Sequence, residues 1–167
     1  NGDLLVCWYN GSGERTADDV AVFGARQRKG DRQWSRPFVM TDTPGYPDTN
    51  PAMSIDPQKR LWLIWSTILD NHWESALLKY RISSGYQKSG PPCWDSGDVL
   101  HVTPGTNFQA LVNAALDALV ANPPPAMKRD EFDAWIKKDR ARLPDKLSCR
   151  LGWMTRVHPF VLAGQRL

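Results

Sequence analysis

The chain has 167 residues, of which 41% are hydrophobic and 23% charged, which is typical of a globular domain with room for a sizeable core. Its 21 basic and 18 acidic residues leave a scattered net charge of +3, so neither nucleic acid nor an acidic membrane surface is an expected partner. No stretch approaches the roughly 18 apolar residues of a membrane span. The three histidines and three cysteines lack metal-ligand spacing, so we expect neither metal nor cofactor.

Residues 3–100 carry the signals of short β-strands separated by turns. Apolar runs bounded by Gly, Pro, Asn and Asp predict strands, and these fall at 4–9, 19–26, 34–40, 52–55, 61–66, 77–82 and 98–102. Tight turns are predicted at 29–31 and 56–59. Strands this short and this evenly spaced favour an all-β architecture.

Two stretches of this region share one order of features: an apolar strand, a long polar loop, a strand ending in Arg, and a turn leading to Trp. The first covers 4–34 with Arg26, and the second covers 61–94 with Arg81. A repeat of about 60 residues is in the range expected for the blades of a β-propeller. The eight tryptophans suit the core of such a repeat or a surface on which sugar rings stack.

Residues 107–142 depart from the strand pattern and predict a helical hairpin. Apolar side chains recur at helical spacing at Phe108, Leu111, Val112, Ala115, Leu116 and Leu119. Asn107 is a candidate N-cap, and the three prolines at 123–125 end the first helix. A second, more polar helix is indicated by Phe132, Trp135, Ile136 and Arg140. We expect the hairpin to cover an edge of the β structure, with a lid as the alternative, and strand character to resume from residue 151.

The order of the motifs resembles the sialidase-like family of bacterial neuraminidase repeat (BNR) proteins. The matching text is Gly-Asp-Leu-Leu at 2–5, the acidic loop that follows, Trp-Ser-Arg-Pro at 34–37, Asn-Pro at 50–51 and Arg-Leu-Trp-Leu at 60–63. Later matches are Gly-Trp-Met-Thr-Arg at 152–156, Pro159 and Gly-Gln-Arg-Leu at 164–167. The family hallmark, the Asp-box Ser-x-Asp-x-Gly-x-Thr-Trp, is degenerate here. The stretch 26–34 keeps only Gly30 and Trp34, and 82–94 keeps Ser83 and Trp94.

The resemblance implies a mainly all-β fold, part of a six-bladed β-propeller of the sialidase type, with antiparallel blades and an inserted helical hairpin. Residues 1–106 would form about two blades, 107–142 the helical insert, and 151–167 the start of the next blade. Both ends of the chain look cut, so we expect an internal part of one propeller domain that is inactive alone. The resemblance favours a secreted or periplasmic parent protein.

In sialidases the acid/base is an Asp on the loop after an early strand, and Asp18 and Asp19 stand on the corresponding loop. Asp19 is the better match because a residue next to a strand is held more firmly. Glu14 shares the loop, and like-charge repulsion from it would raise the pKa of a neighbouring Asp, as a general acid requires. A solvated acidic turn is the alternative reading. The Tyr nucleophile that sialidases use is expected in later blades.

Four residues are candidates for substrate binding. Arg156 lies in a motif like the Arg-x-x-Pro of the family, and a guanidinium matches a sugar carboxylate with two parallel hydrogen bonds. His158 is placed to bind a sugar hydroxyl, and Asn50 and Trp73 lie on long loops. Arg26 and Arg81 end their strands and are expected to be structural.

The resemblance therefore implies an exo-α-sialidase-type glycoside hydrolase that acts on terminal sugars of glycans and needs no cofactor. Two alternatives stay open. One is a polysaccharide lyase with a similar propeller, and the other is a propeller that binds a glycan or a protein without catalysis. The degenerate Asp-boxes slightly favour the non-catalytic propeller. The sequence leaves the oligomeric state open.

Overall fold

The computed structural model of the chain describes residues 2–154. These residues form two compact units, one of 2–101 with 152–154 and one of 102–151. The described chain is mostly β, with two antiparallel sheets in the first unit and two α-helices in the second. None of the helices in the described part is long and apolar enough to cross a membrane.

The first sheet has three strands in the order β1 (Leu4–Asn10), β2 (Ala21–Gln27) and β3 (Phe38–Thr41). The central strand β2 is apolar and buried along most of its length. The side chains of Met40 and Phe38 from β3 lie against Gly24, since a Cβ at Gly24 would come within 2.9 Å of the Met40 sulfur and 3.0 Å of the Phe38 ring. A larger residue at this position would require these side chains to move.

The second sheet is a four-stranded meander of β4 (Asp48–Ile55), β5 (Leu61–Ile68), β6 (Ala76–Ser83) and β7 (Ser96–Val99). The predicted turn between β4 and β5 is confirmed, because the Lys59 backbone N–H donates to the Asp56 carbonyl at 2.9 Å. The predicted turn at 29–31 is confirmed as well, with the Asp31 N–H donating to the Arg28 carbonyl at 3.0 Å.

The core of the first unit lies between the two sheets. Val22 and Met40 of the first sheet pack against Leu63 and Trp65 of the second, and all four are almost fully buried. Two arginines join the sheets from opposite sides. Arg26 donates to the carbonyls of the β6–β7 loop, and Arg81 donates to the Met40 carbonyl of β3. The structure thus supports the expectation that both arginines are structural.

The hydrogen-bond register confirms that the two sheets repeat one pattern. In the first sheet the Ser35 N–H donates to the Arg26 carbonyl, and in the second the Asp95 N–H donates to the Ile82 carbonyl. The position equivalent to Arg26 is therefore Ile82. Arg26 and Arg81, the two arginines near the ends of these strands, therefore stand one residue apart in the repeat.

The second unit contains α1 (Phe108–Ala121) and α2 (Arg129–Arg142), which confirms the predicted hairpin. Its core consists of Leu116, Phe132, Ile136 and Leu143. The prediction that Asn107 caps α1 is wrong for its side chain, which makes no capping hydrogen bond, although its carbonyl accepts from the Leu111 N–H at 3.0 Å. The acidic first turn and basic last turn of α2 favour the helix dipole.

Strand character was expected to resume at residue 151. Residues 151–154 form no strand, so the expectation is wrong for these four residues. Backbone hydrogen bonding still ties this segment to the first unit, because the Gly152 N–H donates to the Ala76 carbonyl at 2.9 Å. The rest of the segment, 155–167, lies outside the described residues.

Candidate functional site

Three segments meet at one end of the first unit, and we call this region the loop end. It comprises the β1–β2 loop (11–20), the segment 47–50 at the start of β4, and the β5–β6 loop (69–75). The Asp48 N–H donates to the Val20 carbonyl at 2.8 Å, and the Ile68 N–H donates to the Pro47 carbonyl at 2.9 Å. Backbone hydrogen bonds therefore fix the start of β4 against both neighbouring segments.

Close packing within the β1–β2 loop holds its acidic residues in place. A Cβ at Gly11 would lie 2.6 Å from the Val20 Cα and 2.9 Å from the Asp19 carbonyl oxygen. Only a glycine lets the two limbs of this loop approach so closely. Asp18 and Asp19 are exposed, and both lie in the return limb of the loop directly before β2.

Asp19 accepts hydrogen bonds from Ser12. The Ser12 backbone N–H lies 3.0 Å from Asp19 Oδ1, and the Ser12 hydroxyl donates to the same oxygen at 2.9 Å. The backbone hydrogen bond, followed by the hydroxyl bond, lowers the pKa of Asp19 below its ordinary value. The expectation that Glu14 raises the pKa of Asp19 is therefore wrong, and Asp19 is ionised at neutral pH.

Glu14 has a different partner, which sequence reasoning missed. The Tyr9 hydroxyl, at the end of β1, donates to Glu14 Oε1 at 3.0 Å. A phenol within hydrogen-bond distance of a carboxylate is the arrangement that an activated Tyr nucleophile needs. The five-residue separation of these residues across a loop gave no local signal of this contact.

Trp73 lies at the loop end as predicted from its position, in a short 3-10 helix (Trp73–Ser75) of the β5–β6 loop. The Arg15 guanidinium lies 5.4 Å from the centroid of its ring, a distance at which cations attract aromatic faces. This contact brings the β5–β6 loop against the acidic loop that carries Glu14 and Asp19.

Asn50 is half-buried at an irregularity of β4, where the pairing with β5 shifts register between Thr49 and Ala52. Its φ of +48° is in the left-handed region that Asn tolerates better than most residues. Its side-chain amide donates to the Met154 sulfur at 3.6 Å. Asn50 thus lies within the loop end at a bulge, a feature that commonly changes the direction of a side chain.

The structure does not locate the other two substrate-binding candidates, because Arg156 and His158 lie outside the described residues. Among residues 2–154 no group of three or more His, Cys, Asp or Glu side chains could hold a metal ion.

Asp48 is a buried carboxylate that sequence reasoning missed. It is fully buried and accepts hydrogen bonds from Trp65 Nε1 at 2.9 Å, from the Thr67 hydroxyl at 2.5 Å and from the Thr43 N–H at 2.8 Å. Buried charges persist where hydrogen bonds surround them in this way. Asp48 therefore anchors the segment that carries Asn50 to the core of the second sheet.

The fold and the loop end define a β-protein built from repeated antiparallel sheets, with acidic and aromatic groups together at one end. The family model described as a BNR repeat-like domain matches residues 2–122, which include both sheets and α1. The chain belongs to this family, whose domain is found in sialidase-like proteins. Neither a search of curated proteins nor a search of solved structures finds a match to the chain.

Proposed function

We propose that this chain is part of a sialidase-like β-propeller whose loop end faces a sugar. The activity would be that of an exo-α-sialidase-type glycoside hydrolase on terminal sugars of glycans. The observation that supports it best is the meeting, at one end of the sheets, of the Tyr9–Glu14 pair, the ionised Asp19 and the Arg15–Trp73 contact. The membership of residues 2–122 in the BNR repeat-like family supports the same proposal.

The proposed arrangement treats the two sheets as consecutive blades within residues 1–106, with 107–142 as a helical insert and 151–167 as the start of a further blade. Blades of a propeller pack face to face around an axis. The face of the first sheet that points away from the second exposes Leu4, Val6 and Val39. Such an apolar face suits the packing of another blade.

The proposed mechanism gives the two carboxylates of the acidic loop different roles. The transition state of glycoside hydrolysis carries positive charge at the anomeric carbon. Asp19, with its lowered pKa, supplies negative charge or accepts a proton. Glu14 accepts the proton of the Tyr9 hydroxyl, which lies 3.0 Å away, as the Tyr9 oxygen bonds to the anomeric carbon and the bond from that carbon to the leaving oxygen breaks. The leaving oxygen takes its proton from water, because the ionised Asp19 has none to give. Asp18 remains a proposed member of the same acidic group.

Substrate binding is proposed for four further residues. Trp73 offers a flat face on which the C–H groups of a sugar ring can stack, and Asn50 offers amide hydrogen-bonding groups. Arg156 is proposed to bind a carboxylate of the substrate, and His158 a hydroxyl. The glycan is the proposed partner.

The experiment is a turnover assay with a fluorogenic sialoside on the full-length parent protein, with wild type compared against Asp19→Asn, Glu14→Gln and Tyr9→Phe. We expect each substitution to reduce kcat by at least about 100-fold. Asp145→Asn is the matched control. Asp145 is also an exposed Asp whose pKa is lowered by a serine, Ser148, but it lies in the second unit. Wild-type activity in all three loop variants would refute the proposed roles.

A second candidate, a glycan-binding propeller without catalysis, is favoured by one observation. Among residues 2–154, Asp19, Asp56, Asp95 and Asp145 have pKa values below the ordinary value of Asp, whereas a general acid needs a raised pKa. Glycan binding without turnover would support this candidate. An unsaturated product absorbing in the near ultraviolet would instead identify a polysaccharide lyase.

A further inference from the structure

A cleft of about 510 Å³ opens on the second sheet beside β6 and β7. Its lining includes two tryptophans, Trp65 and Trp94, two basic residues, Lys79 and Arg81, and Gly97. None of these residues belongs to the loop end, so the cleft is separate from the site of the proposed function.

Arg81 presents one unused edge of its guanidinium in this cleft. Nη1 donates to the Met40 carbonyl at 2.9 Å, and the guanidinium carbon lies 5.8 Å from the Trp65 ring centroid. Nε and Nη2, which together form the side edge of the group, have no hydrogen-bond partner among the described residues. This edge is the pair of parallel donors that matches the two oxygens of a carboxylate.

In Arg26 the same edge of the guanidinium, formed by Nε and Nη2, is occupied by hydrogen bonds within the protein. Its Nε donates to the Gly90 carbonyl at 3.4 Å, and its Nη2 donates to the Tyr86 carbonyl at 2.6 Å. Of the two arginines, therefore, only Arg81 keeps both Nε and Nη2 available to a ligand.

Lys79 adds a second positive charge beside Arg81. Its Nζ lies 5.3 Å from the Trp65 ring centroid and donates to the Thr43 hydroxyl at 2.8 Å. Burial, the largest influence, lowers its pKa. It meets the negative charge of Asp48 only through the Thr43 hydroxyl, which itself donates to Asp48. Within the described residues neither Lys79 nor Arg81 forms a direct ion pair.

Two carboxylates also lie at the cleft, and both have partners. Asp95 accepts from the Ser84 N–H at 2.6 Å, and Asp98 accepts from the Val99 N–H at 2.7 Å. Neither reaches the two basic groups as a hydrogen-bond acceptor. Among the described residues neither Asp95 nor Asp98 forms an ion pair with Lys79 or Arg81, while the charge of the buried Asp48 attracts Lys79.

Gly97 keeps the cleft open next to Arg81. A Cβ at this position would lie 2.7 Å from the Tyr80 carbonyl oxygen and 2.9 Å from Arg81 Cγ. Any larger residue would press on the arginine side chain from β7. Gly97 therefore leaves room beside Arg81 that another residue type would fill.

We propose that this cleft binds the carboxylate of an acidic sugar ring. The side edge of Arg81 holds the two carboxylate oxygens, and Lys79 adds the attraction of a second, partly desolvated charge. Trp94, which is partly exposed, offers its face to the apolar C–H face of the ring, while the buried Trp65 ring lies beneath the two cations. This site is additional to the loop end, and its occupation does not require the hydrolase activity proposed there.

The test uses glucuronate as the probe and glucose as its neutral counterpart, each titrated into the full chain. Indole N–H resonances in a two-dimensional NMR spectrum report where the ligand binds. We expect glucuronate to shift Trp65 and Trp94 with a Kd of about 1 mM or tighter, and glucose to bind at least about 10-fold more weakly. Added salt should weaken glucuronate binding.

The matched variants are Arg81→Lys and Arg26→Lys. Arg81→Lys keeps the charge but removes the paired donors, so glucuronate affinity should fall at least about 10-fold, whereas Arg26→Lys should leave it unchanged. Gly97→Ala should also reduce the affinity. Equal binding of glucuronate and glucose by the wild type would overturn the proposal, and so would shifts confined to Trp73. Both of these results are measured on the wild-type chain, so they test the proposal even if a variant fails to fold.

Discussion

The replacement Asp48→Ala tests whether the buried carboxylate holds the first unit together. Its removal leaves the Trp65 indole N–H and the Thr43 amide without an acceptor, while the Thr67 hydroxyl can turn to another group. An unsatisfied buried donor costs about 1–3 kcal/mol. Since the loss of the carboxylate also relieves its own desolvation, we expect a destabilisation of about 3 kcal/mol. That is a large part of the roughly 5–15 kcal/mol by which domains are usually stable.

The measurement is urea unfolding of the chain, followed by tryptophan fluorescence and circular dichroism. Asp56→Ala is the matched control, because Asp56 also accepts from an indole N–H, that of Trp62 at 2.9 Å, and pairs with Arg60. The Arg60 side chain is 40% exposed, so water can replace the lost partner, and we expect a cost of about 1 kcal/mol. Both carboxylates are buried, so if the two variants lose the same free energy of unfolding, the exposure of the donors left behind does not set the cost and the reasoning fails.

Three further predictions concern the acidic loop and the thiols. Ser12→Ala should raise the pKa of Asp19, measured by carboxyl-carbon NMR. Because a lowered pKa stabilises the fold above the unfolded pKa, the stability difference between this variant and wild type should vanish as the pH falls through the folded pKa of Asp19. An unchanged pKa would contradict the assignment. Burial raises the pKa of Cys7 to about 11, so at about pH 8 Cys7 should react with a disulfide reagent far more slowly than the exposed Cys93. Equal rates would disprove this. Gly11→Ala should lower Tm and speed hydrogen exchange in the β1–β2 loop, whose backbone a Cβ would displace, and unchanged exchange would refute the packing argument.

The sequence predicted where the strands lie, because alternating and apolar runs of residues report burial directly. It did not predict where β4 begins. The prediction placed this strand at 52–55, whereas it runs over Asp48–Ile55. Asn50 and Pro51 are residue types typical of loops. The left-handed backbone of Asn50 and the register shift around it interrupt the alternating pattern by which a strand is recognised in a sequence.

The candidate site was predictable in place but not in chemistry. Composition and order put Glu14 and Asp19 on one loop, and the structure keeps them there. The pKa of Asp19, however, follows from the backbone N–H of Ser12, and Glu14 is engaged by the Tyr9 hydroxyl. Such contacts depend on how a loop folds back on itself, which no spacing rule encodes. For the same reason, the Arg15–Trp73 contact between two loops gave no signal in the sequence.

The one-residue offset between Arg26 and Arg81 has a geometric cause. Successive residues of a strand point to opposite faces of the sheet, so one step in the repeat turns a side chain from one face to the other. Arg26 lies on the face of the first sheet that meets the second, and Arg81 lies on the face of the second sheet that meets the first. Each arginine must reach a carbonyl of the other sheet or of its loops. Two residues at equivalent positions would point the same way and could not both enter this space. The offset is therefore what allows two arginines to share one interface, and of the two only Arg81 keeps its Nε and Nη2 edge without a hydrogen-bond partner among the described residues.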